Sequence, residues 1–170
     1  MTPRKGIGRT PPTSAPLAAD LANMQHAIES AAAGLAEGGV PIGACLVNNR
    51  TGEVLGVGRN RRVQMGSAIR HGETDCLENV GRLPASVYRE CTIYTTLSPC
   101  AMCTGACILY EIPRVVIGEN ESFLGAEQTL KAHRIKVHLQ ECKVMMKEFI
   151  DMKPEVWWED IGEEKRANEA

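Results

Sequence analysis

The chain has 170 residues, of which 44% are apolar and 24% charged, an ordinary composition for one globular domain. Its formal net charge of -2 gives no field of positive charge, which argues against a nucleic-acid partner. Because no apolar run approaches the roughly 18 residues of a membrane span, we expect no membrane association.

Residues 1–16 are basic, rich in proline and free of acids. They lack the apolar stretch of a secretory signal, so we expect a disordered N-terminal arm, with a transit peptide as the alternative. The seven cysteines are an odd number and indicate a reducing compartment rather than a disulfide framework. We therefore expect a cytoplasmic protein, with the nucleus as a second compartment. The folded domain should cover residues 17–162, followed by a tail over 163–170.

The first half of the domain shows a helix and a hairpin. Apolar residues recur at helical spacing over about 17–35, and the Gly38-Gly39 pair ends this helix. A short apolar run over 42–47 predicts a buried strand, and 54–58 predicts its partner across a polar turn. Residues 59–69 predict a polar loop.

The second half alternates between the two element types. Helices are predicted over 73–80, 100–110, 127–132 and 142–151, strands over 92–97, 114–118 and 135–139, and an aromatic, acidic segment over 154–161. This alternation predicts a mostly parallel sheet with helices on its faces.

Two short motifs carry the chemistry, His71-Gly72-Glu73 and the later run Pro99-Cys100-Ala101-Met102-Cys103. The pattern H-x-E followed by P-C-x-x-C is the signature of zinc deaminases that act on nucleobases. His71, Cys100 and Cys103 would supply three zinc ligands and leave the fourth tetrahedral position to water, as in a catalytic site. Glu73 is then the candidate acid and base beside that water.

Each predicted ligand lies at or near a predicted helix start, where unpaired amides and the helix dipole favour a thiolate. The spacing of Cys100 and Cys103 puts both sulfurs on one face of one turn. The alternatives are a purely structural zinc site or no zinc. Cys76 and Cys107 could in principle compete as ligands, but core packing is the commoner role for such cysteines.

The chain resembles the fungal cytosine deaminases, within the cytidine-deaminase-like superfamily, over about residues 35–161. The resemblance is carried by EGGVPIGACLVNN, GRNRR, GSAIRHGE, LENVGRL, YTTLSPCAMCTGA, RVVIGEN and FID…PEVWWEDIGE. It implies an α/β fold, a three-layer α/β/α sandwich around a five-stranded mixed sheet, and a homodimer with one Zn²⁺ per subunit. It also implies hydrolytic deamination of free cytosine, and usually of 5-fluorocytosine, in pyrimidine salvage.

The resemblance also assigns residue roles. His71, Cys100 and Cys103 match the zinc ligands, and Glu73 matches the proton shuttle. Six further positions match substrate contacts: the Asn60 amide on the pyrimidine edge, the Asp160 carboxylate on the base and its amino group, the Gly72 backbone beside the pyrimidine oxygen, Phe123 and Trp157 as aromatic walls, and Ile42 as an apolar wall.

Two other functions stay open. The chain could deaminate another base or nucleoside, such as adenosine in tRNA, guanine or cytidine, or it could bind zinc without catalysis. Arg59, Arg61, Arg62 and Arg70 could bind phosphate or form a solvated loop. The C-terminal WWED segment favours a covered pocket sized to a free base, because a flipped nucleotide needs an open groove.

Overall fold

The computed structural model describes residues 18–139 and 144–162, so the predicted arm and tail lie outside the described residues. The elements are α1 (Ala18–Ala36), β1 (Gly43–Asn48), β2 (Val54–Arg59), α2 (Arg62–Met65), α3 (Gly72–Val80), α4 (Ala85–Tyr88), β3 (Cys91–Thr95), α5 (Ala101–Leu109), β4 (Arg114–Ile117), α6 (Glu127–Ala132), β5 (Lys136–Leu139), α7 (Val144–Met152) and α8 (Pro154–Asp160). The predicted helices and strands are present within a few residues. In addition, α2 is a single turn in the segment expected to be a polar loop, α4 is a single turn where no element was predicted, and the aromatic C-terminal segment is a helix.

The sheet is mixed, with strand order β2-β1-β3-β4-β5. β1 pairs antiparallel with both β2 and β3, whereas β3, β4 and β5 run parallel. The antiparallel β1–β2 hairpin was predicted, so the expectation of a mostly parallel sheet was wrong for the β1–β3 pairing, and the five-stranded mixed sheet implied by the resemblance is confirmed. The long connection from β2 to β3 through α2, α3 and α4 leaves the direction of β3 open, whereas the single-helix crossovers through α5 and α6 allow parallel pairing.

Both faces of the sheet are covered, as expected of a three-layer α/β/α arrangement. In β1, Ala44 and Leu46 point into the core on the α3 and α5 side, whereas Cys45 and Val47 pack with Met24 of α1. This alternation follows from the two-residue period of a strand. All six residues of β1 are buried, which explains the continuous apolar run in the sequence.

A close approach of helix and strand sets the position of α3. A Cβ added to Gly58 of β2 would lie 2.1 Å from the Cys76 nitrogen of α3, so only glycine fits between the two backbones. The N-terminus of α3, where His71 and Glu73 lie, is thereby held against the sheet.

On the opposite face, a buried ion pair holds α1 to the sheet. Arg114 donates two hydrogen bonds to the Asp20 carboxylate at 2.7 and 2.6 Å, and Tyr94 donates a third at 2.9 Å. Paired donors and acceptors of this kind are what allow charged groups to lie inside a core. Among the described helices, none combines the length and the apolar character needed to cross a membrane.

Candidate active site and metal centre

Three metal-binding side chains meet where two helices begin. His71 and Cys100 are the N-cap residues of α3 and α5, both with extended backbone, and Cys103 follows one turn into α5. Cys100 Sγ lies 3.6 Å from His71 Nδ1 and 3.7 Å from Cys103 Sγ. All three ligand atoms lie within 4.8 Å of one another, and they form the one such group with metal-binding geometry found among the described residues.

These separations fit a tetrahedral zinc ion. Zn–S bonds of about 2.3 Å and a Zn–N bond of about 2.0–2.1 Å require an S···S separation of about 3.8 Å and an S···N separation of about 3.6 Å. The observed values agree with both. The predicted metal group is therefore assembled as expected, whereas Cys76 and Cys107 are fully buried in the apolar core and stand outside it.

The charge distribution in this group already favours a cation. The hydrogen bond between the two thiols, together with the one to His71, lowers the pKa of Cys100 to about 4, although burial opposes the charged form. The same thiol pair and burial raise the pKa of Cys103. Burial alone would lower the pKa of His71, but the hydrogen bond with Cys100 and the charge of Asp160 raise it overall. A metal ion would replace the shared protons as the positive partner.

Glu73 lies beside the metal group and is 3% exposed. Thr95 Oγ1 lies 3.1 Å from Glu73 Oε1 and can donate to it, and the same hydroxyl lies 3.0 Å from the Leu97 carbonyl oxygen. Burial raises the pKa of Glu73 above its ordinary value, and a backbone hydrogen bond and His71 act in the opposite direction. A carboxyl group with a raised pKa can both take and return a proton near neutral pH.

A cavity of about 470 Å³ opens beside these groups. His71, Glu73 and Cys100 form its chemically active wall. The remaining lining comes from Ile42, Arg62, Ala68, Leu97, Ser98, Ala101, Met102, Phe123, Glu159, Asp160, Ile161 and Gly162. A small, mostly apolar cavity with a few converging polar groups is the usual form of a small-molecule site.

Three of the predicted substrate contacts, Ile42, Phe123 and Asp160, line this cavity. Asn60 is fully buried and donates from Nδ2 to Asp160 Oδ1 at 2.8 Å, so the structure brings the two predicted polar contacts together. Gly72 lies between His71 and Glu73, close to the Ile42 backbone.

Trp157, like Asn60 and Gly72, is a predicted contact that does not itself line the cavity. It is 2% exposed and lies in an apolar cluster with Ile42, Leu97 and Phe149, two of which line the cavity. Trp157 itself is not among the lining residues, so in this structure it lies behind the cavity wall.

Three of the four arginines named in the sequence analysis form ion pairs within the chain. Arg59 lies 2.6 Å from Glu37 and Arg70 lies 2.7 Å from Asp75. Arg62 contacts both Glu159 and Asp160 and also lines the cavity. From the sequence, Arg62 was named only among four arginines that could bind phosphate, and its contacts with Glu159 and Asp160 were not predicted, because a basic residue in a polar loop carries no local signal of its partner.

Thr95 was also missed, although it is fully buried and contacts Glu73. Its signal was weak, since a threonine in a buried strand is explained by β-propensity alone. The sequence gives no direct indication that this hydroxyl faces a carboxylate from another helix.

Comparison with known proteins agrees with the geometry. A family model described as "Cytidine and deoxycytidylate deaminase zinc-binding region" matches residues 18–119. The chain belongs to the cytidine and deoxycytidylate deaminase family. The metal that His71, Cys100 and Cys103 are positioned to bind in this deaminase domain is therefore zinc.

Individual relatives of this deaminase differ in what they act on. The chain is 51% identical over 147 residues to a cytosine deaminase of Candida albicans, covering 85% of this chain and 97% of that protein. It is 34% identical over 123 residues to a tRNA-specific adenosine deaminase of Streptococcus pyogenes, covering 69% of this chain and 76% of that protein.

Solved structures agree on the fold. The structure of a guanine deaminase from Nitrosomonas europaea matches with a TM-score of 0.60 at 21% identity, covering 95% of this chain and 98% of that chain. At this level of identity the likeness supports the deaminase fold alone.

Proposed function

We propose that this chain is a zinc-dependent cytosine deaminase, which converts free cytosine and water to uracil and ammonia. The observation that carries the proposal is the 51% identity to a cytosine deaminase across 97% of that protein. The tRNA-specific relative is less similar and matches less of the chain. The cavity of about 470 Å³, walled on one side by the end of α8, suits a small planar base.

The chemistry divides between the metal and one carboxyl group. When bound to His71, Cys100 and Cys103, zinc supplies a water activated for attack on the ring carbon that bears the amino group. Glu73 then moves two protons, one to the ring nitrogen and one to the departing ammonia. Its burial beside the metal group and its hydrogen bond with Thr95 keep it at one place for both transfers.

Substrate binding is proposed for the residues around this centre. The Asp160 carboxylate would accept from the base and its amino group, and the Asn60 amide would bind the pyrimidine edge, since an amide both donates and accepts. Phe123 and Ile42 would form the walls of the ring site, with Trp157 supporting them from behind. The Gly72 backbone would lie beside the pyrimidine oxygen.

The test is ammonia release from free cytosine by purified, zinc-loaded protein, with Glu73→Gln measured beside it. We expect turnover in the wild type, and a loss of about 10²–10⁴-fold in kcat in the variant at unchanged zinc content. Cytidine, guanine and adenosine in tRNA should be poor substrates, whereas 5-fluorocytosine should react. Absence of turnover on cytosine with zinc bound would sink the proposal, and activity on tRNA or guanine would replace it.

We further propose that the enzyme is a homodimer that associates through α5. Met102, Gly105 and Leu109 of this helix and Tyr110, which follows its last residue, are exposed and largely apolar, and Leu109 is 74% exposed. Sedimentation of wild type should give twice the chain mass, and Leu109→Glu should give the single chain. The matched control is Leu21→Glu on α1, a leucine that is 61% exposed on the other side of the sheet, which should stay dimeric.

A role in pyrimidine salvage in the cytoplasm follows from the proposed reaction, because uracil is a product that a cell can reuse. Cells that cannot make pyrimidines should grow on cytosine when they express the wild type but not Glu73→Gln. A tagged protein found in a membrane-bound organelle other than the nucleus would contradict the compartment.

A further inference from the structure

The C-terminal end of α8 is held by one arginine from the other side of the cavity. The Arg62 guanidinium donates from Nη2 to Glu159 Oε1 at 2.5 Å and from Nη1 to the Glu159 carbonyl oxygen at 3.2 Å. Nη1 also donates to Asp160 Oδ1 at 3.1 Å. One planar group therefore contacts the exposed side chain of Glu159 and the 3%-exposed side chain of Asp160 together.

Arg62 also orients the second donor to Asp160. Its backbone nitrogen donates to Asn60 Oδ1 at 3.1 Å, which directs Asn60 Nδ2 toward Asp160 Oδ1. Asn60 Nδ2 and Arg62 Nη1 both bind Oδ1 of the carboxylate, and neither uses Oδ2. The three residues form a closed set of hydrogen bonds, which fixes the carboxylate plane at the cavity wall.

We propose that Arg62 is a positioning residue, which acts through Asp160 by fixing its carboxylate and by keeping the end of α8 against the cavity. The proposal rests on the proposed function, because it concerns how the substrate carboxylate is oriented. Without Arg62, Asp160 would stay buried with its cationic partner removed, which is costly enough to displace the end of α8 instead. The Arg62 side chain is 13% exposed and lines the cavity, so its removal takes the charged donor away from Asp160 at the cavity wall.

The fork of the guanidinium matters as well as its charge. Four acceptors on α8 are reached from two nitrogens of one rigid plane, whereas an ammonium group is a single point on a flexible stem. Arg62→Lys should therefore restore part of what Arg62→Ala loses. Arg59→Ala is the matched control, because Arg59 forms a similar pair with Glu37 at 2.6 Å and is not bonded to α8.

The first measurement is steady-state kinetics on cytosine with zinc-loaded variants. A shift of about 1 Å at a substrate-positioning group costs up to about 100-fold. We expect Arg62→Ala to lower kcat/KM by about 100-fold, mostly through KM, at unchanged zinc content. Arg62→Lys should lie between Arg62→Ala and the wild type, and Arg59→Ala should match the wild type. A fall in kcat with KM unchanged would overturn the proposal.

The second measurement does not depend on activity. Both tryptophans of the chain, Trp157 and Trp158, lie in α8, and Trp157 is 2% exposed. Acrylamide should quench the tryptophan fluorescence of zinc-loaded Arg62→Ala more strongly than that of wild type or Arg59→Ala. Quenching equal in all three would refute the role of Arg62 in holding α8.

The two readouts separate the possible failures. If the wild type does not turn over cytosine, the proposed function fails, yet the quenching still decides whether Arg62 holds α8. If Arg62→Ala does not fold, Arg62→Lys takes its place in both measurements. It must then show raised KM and raised quenching, and wild-type values for it would overturn the proposal.

Discussion

Gly125→Ala tests whether the loop that carries Phe123 is locked against the metal-binding turn. A Cβ at Gly125 would lie 2.1 Å from the Pro99 carbonyl oxygen, 2.7 Å from the Pro99 carbonyl carbon and 3.0 Å from the Ser98 oxygen. All three are backbone atoms, so no rotamer change relieves the contact. The loop must move by about 1 Å to reach an ordinary separation.

That movement would break the contacts that join the two segments. Gly125 N donates to Ser98 Oγ at 3.1 Å, and Ala126 N donates to the Pro99 carbonyl oxygen at 2.9 Å. Two lost hydrogen bonds at about 1 kcal/mol each, plus about 1–3 kcal/mol for overpacking, give a destabilisation of roughly 3–5 kcal/mol. Because Pro99 precedes Cys100, the same shift should lower kcat/KM by about 100-fold or weaken zinc binding.

The assays are thermal unfolding, zinc content and cytosine kinetics on the same preparations. At about 2–4 °C per kcal/mol, Gly125→Ala should melt at least about 6 °C below wild type. The control is Leu124→Ala in the same loop, whose side chain is 69% exposed and which should change stability by less than about 0.5 kcal/mol. If Gly125→Ala melts and reacts like this control, the loop is not locked in the way described.

Three further predictions concern thiols and backbone strain. After zinc removal, iodoacetamide at pH 6 should alkylate Cys100 before the other thiols, because the pKa of Cys100 is about 4. Alkylation of the buried thiols at the same rate would contradict this prediction, as would equal labelling of Cys100 with and without zinc. Burial raises the pKa of Cys107 from 9.0 to about 12, so its contribution to stability is complete below pH 9 and is lost as pH rises toward 12. The free energy of unfolding of wild type relative to Cys107→Ala should therefore fall by about 1.4 kcal/mol per pH unit above pH 9, and parallel urea curves would count against it. Arg134 has a φ of 62°, a left-handed backbone conformation that glycine adopts without strain. Arg134→Gly should therefore raise the free energy of unfolding by about 1 kcal/mol, measured by thermal unfolding. A lower melting temperature than wild type would show that no strain was relieved.

The metal group could be predicted because its signals are local. Each ligand lies at or near a helix start, and the Pro99 ring, the CxxC spacing and the H-x-E run are all read within a few residues. The structure places His71 and Cys100 at the N-caps of α3 and α5, in agreement with the prediction that each ligand lies at or near a helix start. The positions of these ligands are set by helix caps and by one helical turn, so they can be predicted without knowing which distant residues are in contact.

The sheet and the short helices show where local signals stop. Element alternation does not encode which edge of β1 a later strand joins, and β3 joins it antiparallel. The helices α2 and α4 have four residues each, too few to show a hydrophobic period. For α8 the signal was present, since Pro154 stands at N1 and Trp157, Asp160 and Ile161 follow helical spacing.

The polar side of the cavity is the least predictable part of the site, because it depends on contacts between distant residues and the metal group does not. Asp160 is separated from Asn60 and Arg62 by 100 and 98 residues, and without the resemblance carried by the segment PEVWWEDIGE it would be indistinguishable from a solvated acid. The metal group depends on two helix starts, whereas the Asp160 carboxylate depends on long-range pairing that forms only once α8 has packed. Changes in α8 should therefore weaken substrate binding while leaving zinc affinity intact, and changes at the helix starts should remove both.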